Sequence, residues 1–325
     1  GAQAMRFDYQ KMESARNFAN KIRNAARFVL MHMDGYEVGV PEVKTDADKW
    51  MFSRLADVVA KADAAYDAFE FGELTRVLYA FVWNEFCDWY IEFSKSRLAD
   101  DAPAADRLAC QRNLVFVLMH ILKLLHPIMP FLTEELYAEL PDYRFAPHLM
   151  VATWPRADVL AEKYLNPAAE RPVELACAVI GAIRSTRARY GVSPKTPLQV
   201  TVKAAADQVA DILSQRQLIC ALANVDALEV SADATKPAQS SVILTSGVEV
   251  YVCLSGLVDF AAERARLERE LAKDVAEAEK LSRKLANPGY LAKAAPQIVE
   301  KDTNRRNELV ERIARLEAQV KELSE

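Results

Sequence analysis

Apolar residues recur every three or four positions along most of the chain up to Leu140. The spacing predicts helices over 12–31, 50–66, 74–98, 107–125 and 131–140. The breaks between them carry the expected chemistry. Asp34-Gly35 and Pro41 follow the first helix, Asp67 and Gly72 separate the second from the third, and Asp100-Asp101-Ala102-Pro103 follow the third. Pro127 disfavours helix at His126 and so ends the fourth. Five prolines then fall between Pro141 and Pro172, around an apolar piece at 149–155 that reads as extended. Beyond it the period changes. A helix over 173–190 ends at Gly191, 198–202 alternates like a strand, and 209–222 is helical again. Residues 228–230, 241–244 and 248–254 read as strands, the last two joined at Ser246-Gly247, a hairpin turn signal.

From Asp259 to Glu325 the chain follows a heptad. Leu267, Leu271, Asp274, Ala278, Leu281 and Leu285 alternate by four and three. Val299, Asp302, Arg306, Leu309, Ile313, Leu316, Val320 and Leu323 do the same on the way back. Asn287-Pro288-Gly289 stops the first arm and the second starts near Pro296. The chain is therefore expected to be mainly α. It divides into an antiparallel helical bundle (6–140), a connector (141–172), a small α+β subdomain (173–258) and a C-terminal antiparallel coiled-coil hairpin (259–325).

Composition narrows the function classes. A chain of 325 residues with 51% hydrophobic content has room for more than one core. Nine glycines and no P-loop argue against nucleotide chemistry, and the four histidines have no metal spacing. The five cysteines are far apart, with no C-x-x-C pair, which suits reduced and mostly buried thiols in a cytoplasmic protein. No apolar run is long enough to span a bilayer, so no membrane partner is expected. A net charge of −5 excludes nucleic-acid binding by bulk charge but leaves room for local basic patches.

Three such patches stand out. On the first helix, Phe18, Ile22, Ala25 and Val29 make the core stripe. Asn17, Lys21, Asn24 and Phe28 make a second stripe about a quarter turn away, with Asn20, Arg23 and Arg27 beyond it. Cations meet phosphates, amides read base edges and an aromatic face stacks an unpaired base, so the set suits single-stranded RNA. Periodicity alone favours the other reading, a solvated helix face with Phe28 packed at the bundle rim. Near the tip of the hairpin stand Lys280, Arg283, Lys284, Lys293, Lys301, Arg305 and Arg306 against Glu300 and Asp302, which fits phosphate binding or an ordinary coiled-coil surface. The third, 184–190, contains Arg184, Arg187 and Arg189 and reads as the capping of a helix end or as support for RNA. Trp83, Phe86, Trp89 and Tyr90 read as core. The fifth helix can start at Thr133 or in the Pro130 region just before it, and Glu134-Glu135 read as serving a cap with Thr133 rather than as an acid pair.

The segments 15–21 and 24–30 resemble the opening of the anticodon-binding domain of valyl-tRNA synthetases. So do Trp83-Asn84-Glu85-Phe86-Cys87-Asp88-Trp89-Tyr90 and the run 125–137, Leu-His-Pro-Ile-Met-Pro-Phe-Leu-Thr-Glu-Glu-Leu-Tyr, for its later helices. Isoleucyl and leucyl enzymes share these motifs. Gly191-Val192-Ser193-Pro194-Lys195, Gly256-Leu257-Val258-Asp259 and 284–290 sharpen the likeness to the valyl family. The resemblance implies a bundle that holds the anticodon stem-loop of tRNA-Val and a coiled coil against the outer corner of the tRNA. Lys21 and Phe28 fall where the family contacts the anticodon, Phe28 stacking on a base, while an upstream basic contact falls near Gln10. The catalytic and editing domains have no counterpart here. The resemblance therefore implies a tRNA-binding C-terminal piece, inactive alone and without a cofactor, of a monomeric ligase that joins valine to tRNA-Val with ATP. The alternatives are the same part of an isoleucyl or leucyl enzyme, or a non-catalytic helical scaffold that pairs through its hairpin.

Overall fold

Each period change in the sequence marks a change of element in the computed structural model, which describes residues 9–140, 146–293 and 296–322. The chain forms two units, 1–177 and 178–325. The first is a helical bundle: α1 (Tyr9–Met31), α2 (Asp46–Asp67), α3 (Phe71–Tyr79), α4 (Ile91–Ser94), α5 (Ala104–Leu125), α6 (Pro130–Glu139) and α7 (Ala157–Tyr164). α3 runs without a break into a π-helix, Ala80–Tyr90, which runs in turn into α4. α8 (Pro167–Tyr190) begins in the first unit and ends in the second.

α5 is the axis of the bundle. Leu114, Val115, Val117, Leu118, Ile121, Leu122 and Leu124 are all buried, which explains a helix long and apolar enough to cross a membrane that instead lies inside the protein. Its polar residues hold the 32–45 loop. Gln111 donates to the carbonyls of His32 and Asp34, and Asn113 exchanges hydrogen bonds with the backbone of Glu42. At the start of α2 the buried Asp48 completes a capping box with Thr45 and accepts from Tyr90, and both of its oxygens accept from Arg97 at 3.0 Å. Arg54 on α2 grips Glu85 of the π-helix at 2.9 and 3.0 Å and reaches Glu170 of α8.

Several local expectations are corrected, among them the single helix expected over 209–222, which is two, Ala206–Ser214 and Arg216–Ala223. The piece at 149–155 is not extended in its first half, and only from Ala152 does the backbone become so. Residues Leu149–Val151 form a 3-10 turn because the Glu134 carboxylate accepts the N–H groups of Leu149 and Met150. α6 begins at Pro130, the earlier of the two starts the sequence allowed, so the cap expected at Thr133 is not made: Thr133 is an interior residue whose hydroxyl donates to the carbonyls of Met129 and Pro130. The helix expected from 173 begins at Pro167 and passes through Pro172. Among the cysteines only Cys110 is buried. Cys87, Cys177, Cys220 and Cys253 are half-buried, and none of the five is in a disulfide. Burial still pushes the Cys87 and Cys110 thiols up, to about 12 and about 11, where thiolate chemistry is suppressed.

In the second unit a four-stranded sheet has the order β2-β1-β4-β3. β1 (Leu198–Lys203) pairs parallel with β2 (Val225–Ser231) across a crossover made by α9 (Ala206–Ser214) and α10 (Arg216–Ala223). β3 (Ser240–Thr245) and β4 (Val248–Cys253) form the expected hairpin. Ser246 and Gly247 both have positive φ, 48° and 77°, as a two-residue turn matched to strand twist requires. Gly191 ends α8 at φ 65°, and the Val192 N–H returns to the Arg187 carbonyl. The 184–190 patch is structural. Arg187 is buried and donates to the carbonyls of Ser193, Ala223 and Asn224, while Arg184 donates to that of Leu222.

α11 (Phe260–Leu285), the short α12 (Pro288–Lys293) and α13 (Pro296–Glu322) complete the chain as a helical hairpin. Leu267, Ala278, Leu309 and Leu316 are buried in its seam, as the heptad predicts; Leu323 lies outside the described residues. Of the three polar seam positions, the two acids are met from within the hairpin, while Arg306 keeps a buried Nε without a hydrogen bond. Arg312 on α13 pairs with the buried Asp274 at 3.0 Å and with Glu270. Asp302 on α13 accepts from Lys284 and from Tyr290, both at 2.7 Å.

Candidate nucleic-acid interface

α1 presents three kinds of surface. Ile22, Ala25, Ala26 and Val29 are buried against the bundle. Phe18, expected with them, is only half-buried and lies at the rim beside Tyr79 and Trp83. The opposite side carries Asn17, Asn20, Asn24 and Arg27, all exposed, with no side-chain hydrogen bond or ion pair among the described residues. Between these surfaces the helix is anchored on both flanks by its other two cations.

On one flank, Arg23 makes a two-pronged contact with Glu135 of α6 at 2.8 and 2.9 Å. On the other, Lys21 meets Asp88 at 2.6 Å and stands 5.2 Å from the Trp83 ring centre. Two positions apart, the anchors project from nearly opposite sides of the helix, which is why both reach neighbours while Asn20 and Asn24 do not. Each pair is partly exposed, with side chains between 32% and 49% accessible. Such pairs contribute about 0–1 kcal/mol and yield readily to a phosphate.

Phe28 is half-buried. Its ring lies 4.3 Å from that of His32, and the His32 Nδ1 donates to the Phe28 carbonyl at 2.7 Å. A carbonyl can only accept, so Nδ1 carries the proton. The histidine thus backs the phenylalanine from one turn further along. The seven α1 candidates therefore separate: four polar residues are free, two cations are engaged with acids, and the aromatic sits at the edge of the core. Gln10 lies in α1, its side chain outside the described ones.

The acids and rings that meet α1 were not among the sequence candidates. Trp83 and Trp89 are half-buried, whereas Phe86 and Tyr90 have the core positions expected of all four. Asp88 and Trp83 are five positions apart. In an α-helix that separation turns the two side chains well away from each other, toward different neighbours. The wider turn of the π-helix, with its i→i+5 ladder, narrows that angle, and both side chains reach Lys21.

At the hairpin tip most cations already have partners. Arg283 pairs with Glu279 at 3.0 Å, Lys284 with Asp302, and Arg305 with Glu277 at 3.1 Å and Glu308 at 3.5 Å. Lys284 also lies 4.6 Å from the Tyr290 ring centre. Hydrogen bonding to Lys284 holds the Asp302 carboxyl below the usual carboxylate range. Arg306 donates to Asn307 and leaves its Nε buried and unbonded. Lys280 is exposed and has no partner among the described residues; the Lys293 side chain lies outside them.

Comparison with known proteins gives the surfaces a context. Residues 259–324, the whole hairpin, match the family described as the valyl tRNA synthetase tRNA binding arm, and residues 48–202 match the anticodon-binding domain of tRNA ligase. The chain belongs to the valyl-tRNA synthetase family. Its relatives include the valine–tRNA ligases of Carboxydothermus hydrogenoformans (39% identical over 92% of this chain), Laribacter hongkongensis (37% over 99%) and Geobacillus kaustophilus (35% over 99%). The matches take up 33%, 34% and 36% of those proteins, so the chain spans about a third of the length of the curated relatives it matches. It corresponds to a tRNA-binding portion of a valyl-tRNA synthetase. The anticodon-binding match begins at residue 48 and so includes the π-helix, while α1 falls within the longer matches that reach 99% of the chain.

Proposed function

We propose that this chain grips tRNA-Val at two places: the anticodon loop on the outer side of α1, and the outer corner of the tRNA along the hairpin. The observation that carries the first is the ridge of unpartnered Asn17, Asn20, Asn24 and Arg27 beside Phe28, on a helix whose remaining cations are already set by acids. Amides at that spacing have donors and acceptors for base edges, and a half-buried ring offers a face to one unpaired base. The hairpin supplies charge and length. Lys280 is ready for a phosphate, and the exposed Arg283, Lys284 and Arg305 pairs can be exchanged for one. Arg306 and Lys293 complete the set.

In this reading the chain works as a monomer in the cytoplasm, binds no cofactor of its own, and leaves the joining of valine to tRNA-Val with ATP to the rest of a longer protein. The pairing of the seam acids inside the hairpin supports a self-contained arm rather than a scaffold that recruits another coiled coil. The test is binding of the chain to tRNA-Val and to the same tRNA with its middle anticodon base changed, at two salt concentrations. Salt-sensitive binding that weakens with the altered base is expected. Equal binding to both would move recognition off α1.

A further inference from the structure

Lys21 points away from the free ridge and toward an aromatic surface that neither the ridge nor the core uses. Phe18, Tyr79 and Trp83 lie side by side, Trp83 stacked with each of the others and Phe18 tilted on Tyr79. Tyr79 and Trp83 are 5.4 Å apart at 16°, Phe18 and Trp83 6.4 Å apart at 17°, and Phe18 and Tyr79 4.9 Å apart at 33°. Tyr79 is 41% exposed and Trp83 half-buried, so the surface opens to solvent at the tyrosine and is backed by the other two rings. Offset-parallel stacking is one of the favoured aromatic arrangements, found also inside this bundle at Phe52 and Phe116, and where such a group reaches solvent its outer ring can offer a π-face. Lys21 stands at its border, 5.2 Å from the Trp83 centre, held there by Asp88. A flat ring face with a cation beside it is the combination that takes a base and its phosphate together.

Position along α1 favours RNA over a second protein as the occupant. Asn17, Lys21, Asn24 and Phe28 lie on one stripe, and the ring surface abuts that stripe at Phe18 and Lys21. Phe18 and Phe28 are ten positions apart, about 15 Å along the helix axis. The two aromatic positions therefore bracket Asn20 and Asn24, with Asn17 just before Phe18, a length that several unpaired nucleotides can follow.

We propose that Tyr79, backed by Trp83 and Phe18, is a second stacking site for an unpaired base of the anticodon loop, with Lys21 taking the adjoining phosphate in exchange for Asp88. The inference rests on the reading of α1 as the anticodon face. The π-helix is what makes the site, because it turns Trp83 and Asp88 to the same side.

The test uses the full chain and an anticodon stem-loop of tRNA-Val carrying 2-aminopurine at each unpaired position in turn. Quenching is expected at two separate loop positions. Tyr79→Leu should restore the fluorescence of one and weaken binding about tenfold, Tyr79→Phe should preserve both, and Phe28→Leu should release the other. If Tyr79→Leu leaves affinity and every probe unchanged while Phe28→Leu releases one, the ring surface is only a bundle rim and the proposal is overturned. If neither variant changes anything, the reading of α1 falls with it. Should Tyr79→Leu melt early by circular dichroism, photo-crosslinking of a 5-iodouridine-substituted loop to the unaltered chain decides instead. An adduct on Tyr79 supports the site, and adducts confined to the Phe28 region overturn it.

Discussion

Phe28 and Phe116 each stand four positions before a histidine, and the two pairs are built alike. Ring centres are 4.3 Å apart in both, and each histidine Nδ1 bonds the phenylalanine carbonyl. What differs is the surroundings. Phe116 packs against Phe52 and Tyr164, and burial, helped by the nearby Lys123, pushes the His120 imidazole down to about 4. The unfolded chain therefore binds a proton there before the folded one does. The stability from keeping His120 neutral is full above about pH 6.5 and is lost as pH falls toward 4. In His120→Gln, the loss of unfolding free energy between pH 7 and 5 should shrink by up to about 2 kcal/mol, less to the extent that water reaches the half-buried ring. Urea melts at the two pH values measure it, and an unchanged loss would mean that other groups carry the acid sensitivity. Among the described residues, the ring against Phe28 is that of His32. Phe28→Ala should lower affinity for the anticodon stem-loop by about 1–3 kcal/mol while the bundle stays folded. Unfolding instead would return Phe28 to the core, the other reading its spacing allowed.

The elements that the sequence makes legible are those whose signals are local. The 3.6 period marks α1, α2 and α5, Ser246-Gly247 marks the hairpin, and Gly191 marks the end of α8, because each depends on residues within one or two turns. The 3-10 turn at Leu149 is invisible in its own sequence; it forms because Glu134 on another element accepts its N–H groups. The π-helix is hidden for a related reason. Its apolar residues satisfy an α-helical spacing as well, and the choice of the wider turn shows only in which partners Trp83, Glu85 and Asp88 reach. That is why the free face of α1 could be drawn from the sequence, whereas the acids that hold its cations, Asp88 and Glu135, could not. The hairpin offers a sharper case. Its heptad shows a polar seam position at Asp274 but not the partner, Arg312. Asp274 is buried, so Arg312→Ala should leave an uncompensated acid and lower the melting temperature of the hairpin's helical signal. Asp274→Leu together with Arg312→Leu should restore or raise it. A double variant that melts as low as the single one would show that the pair adds more than charge balance.

At the scale of the whole chain, the net charge of −5 has to be reconciled with a polyanionic partner. It can be, because binding depends on where the cations are and on what they exchange. Three of the tip cations are held by carboxylates at least partly open to solvent, Asp302 the least of them, and each exchange of such a carboxylate for a phosphate leaves the acid to be solvated and releases counterions from the RNA. The ridge on α1 contributes mostly neutral amides, which discriminate bases but release few ions. The two surfaces should therefore differ in their response to salt. Replacing Lys280, Arg283 and Lys284 together by Gln should weaken binding to every tRNA alike. It should also flatten the dependence of log affinity on log salt by about one for each phosphate no longer engaged. Phe28→Ala should leave that slope unchanged and abolish the preference for the native anticodon. Titrations of both variants against tRNA-Val and the altered-anticodon tRNA separate the terms. If the triple Gln variant keeps the wild-type slope, the hairpin tip does not touch phosphate, and the electrostatic part of the grip belongs to Arg27, Lys21 and the bundle.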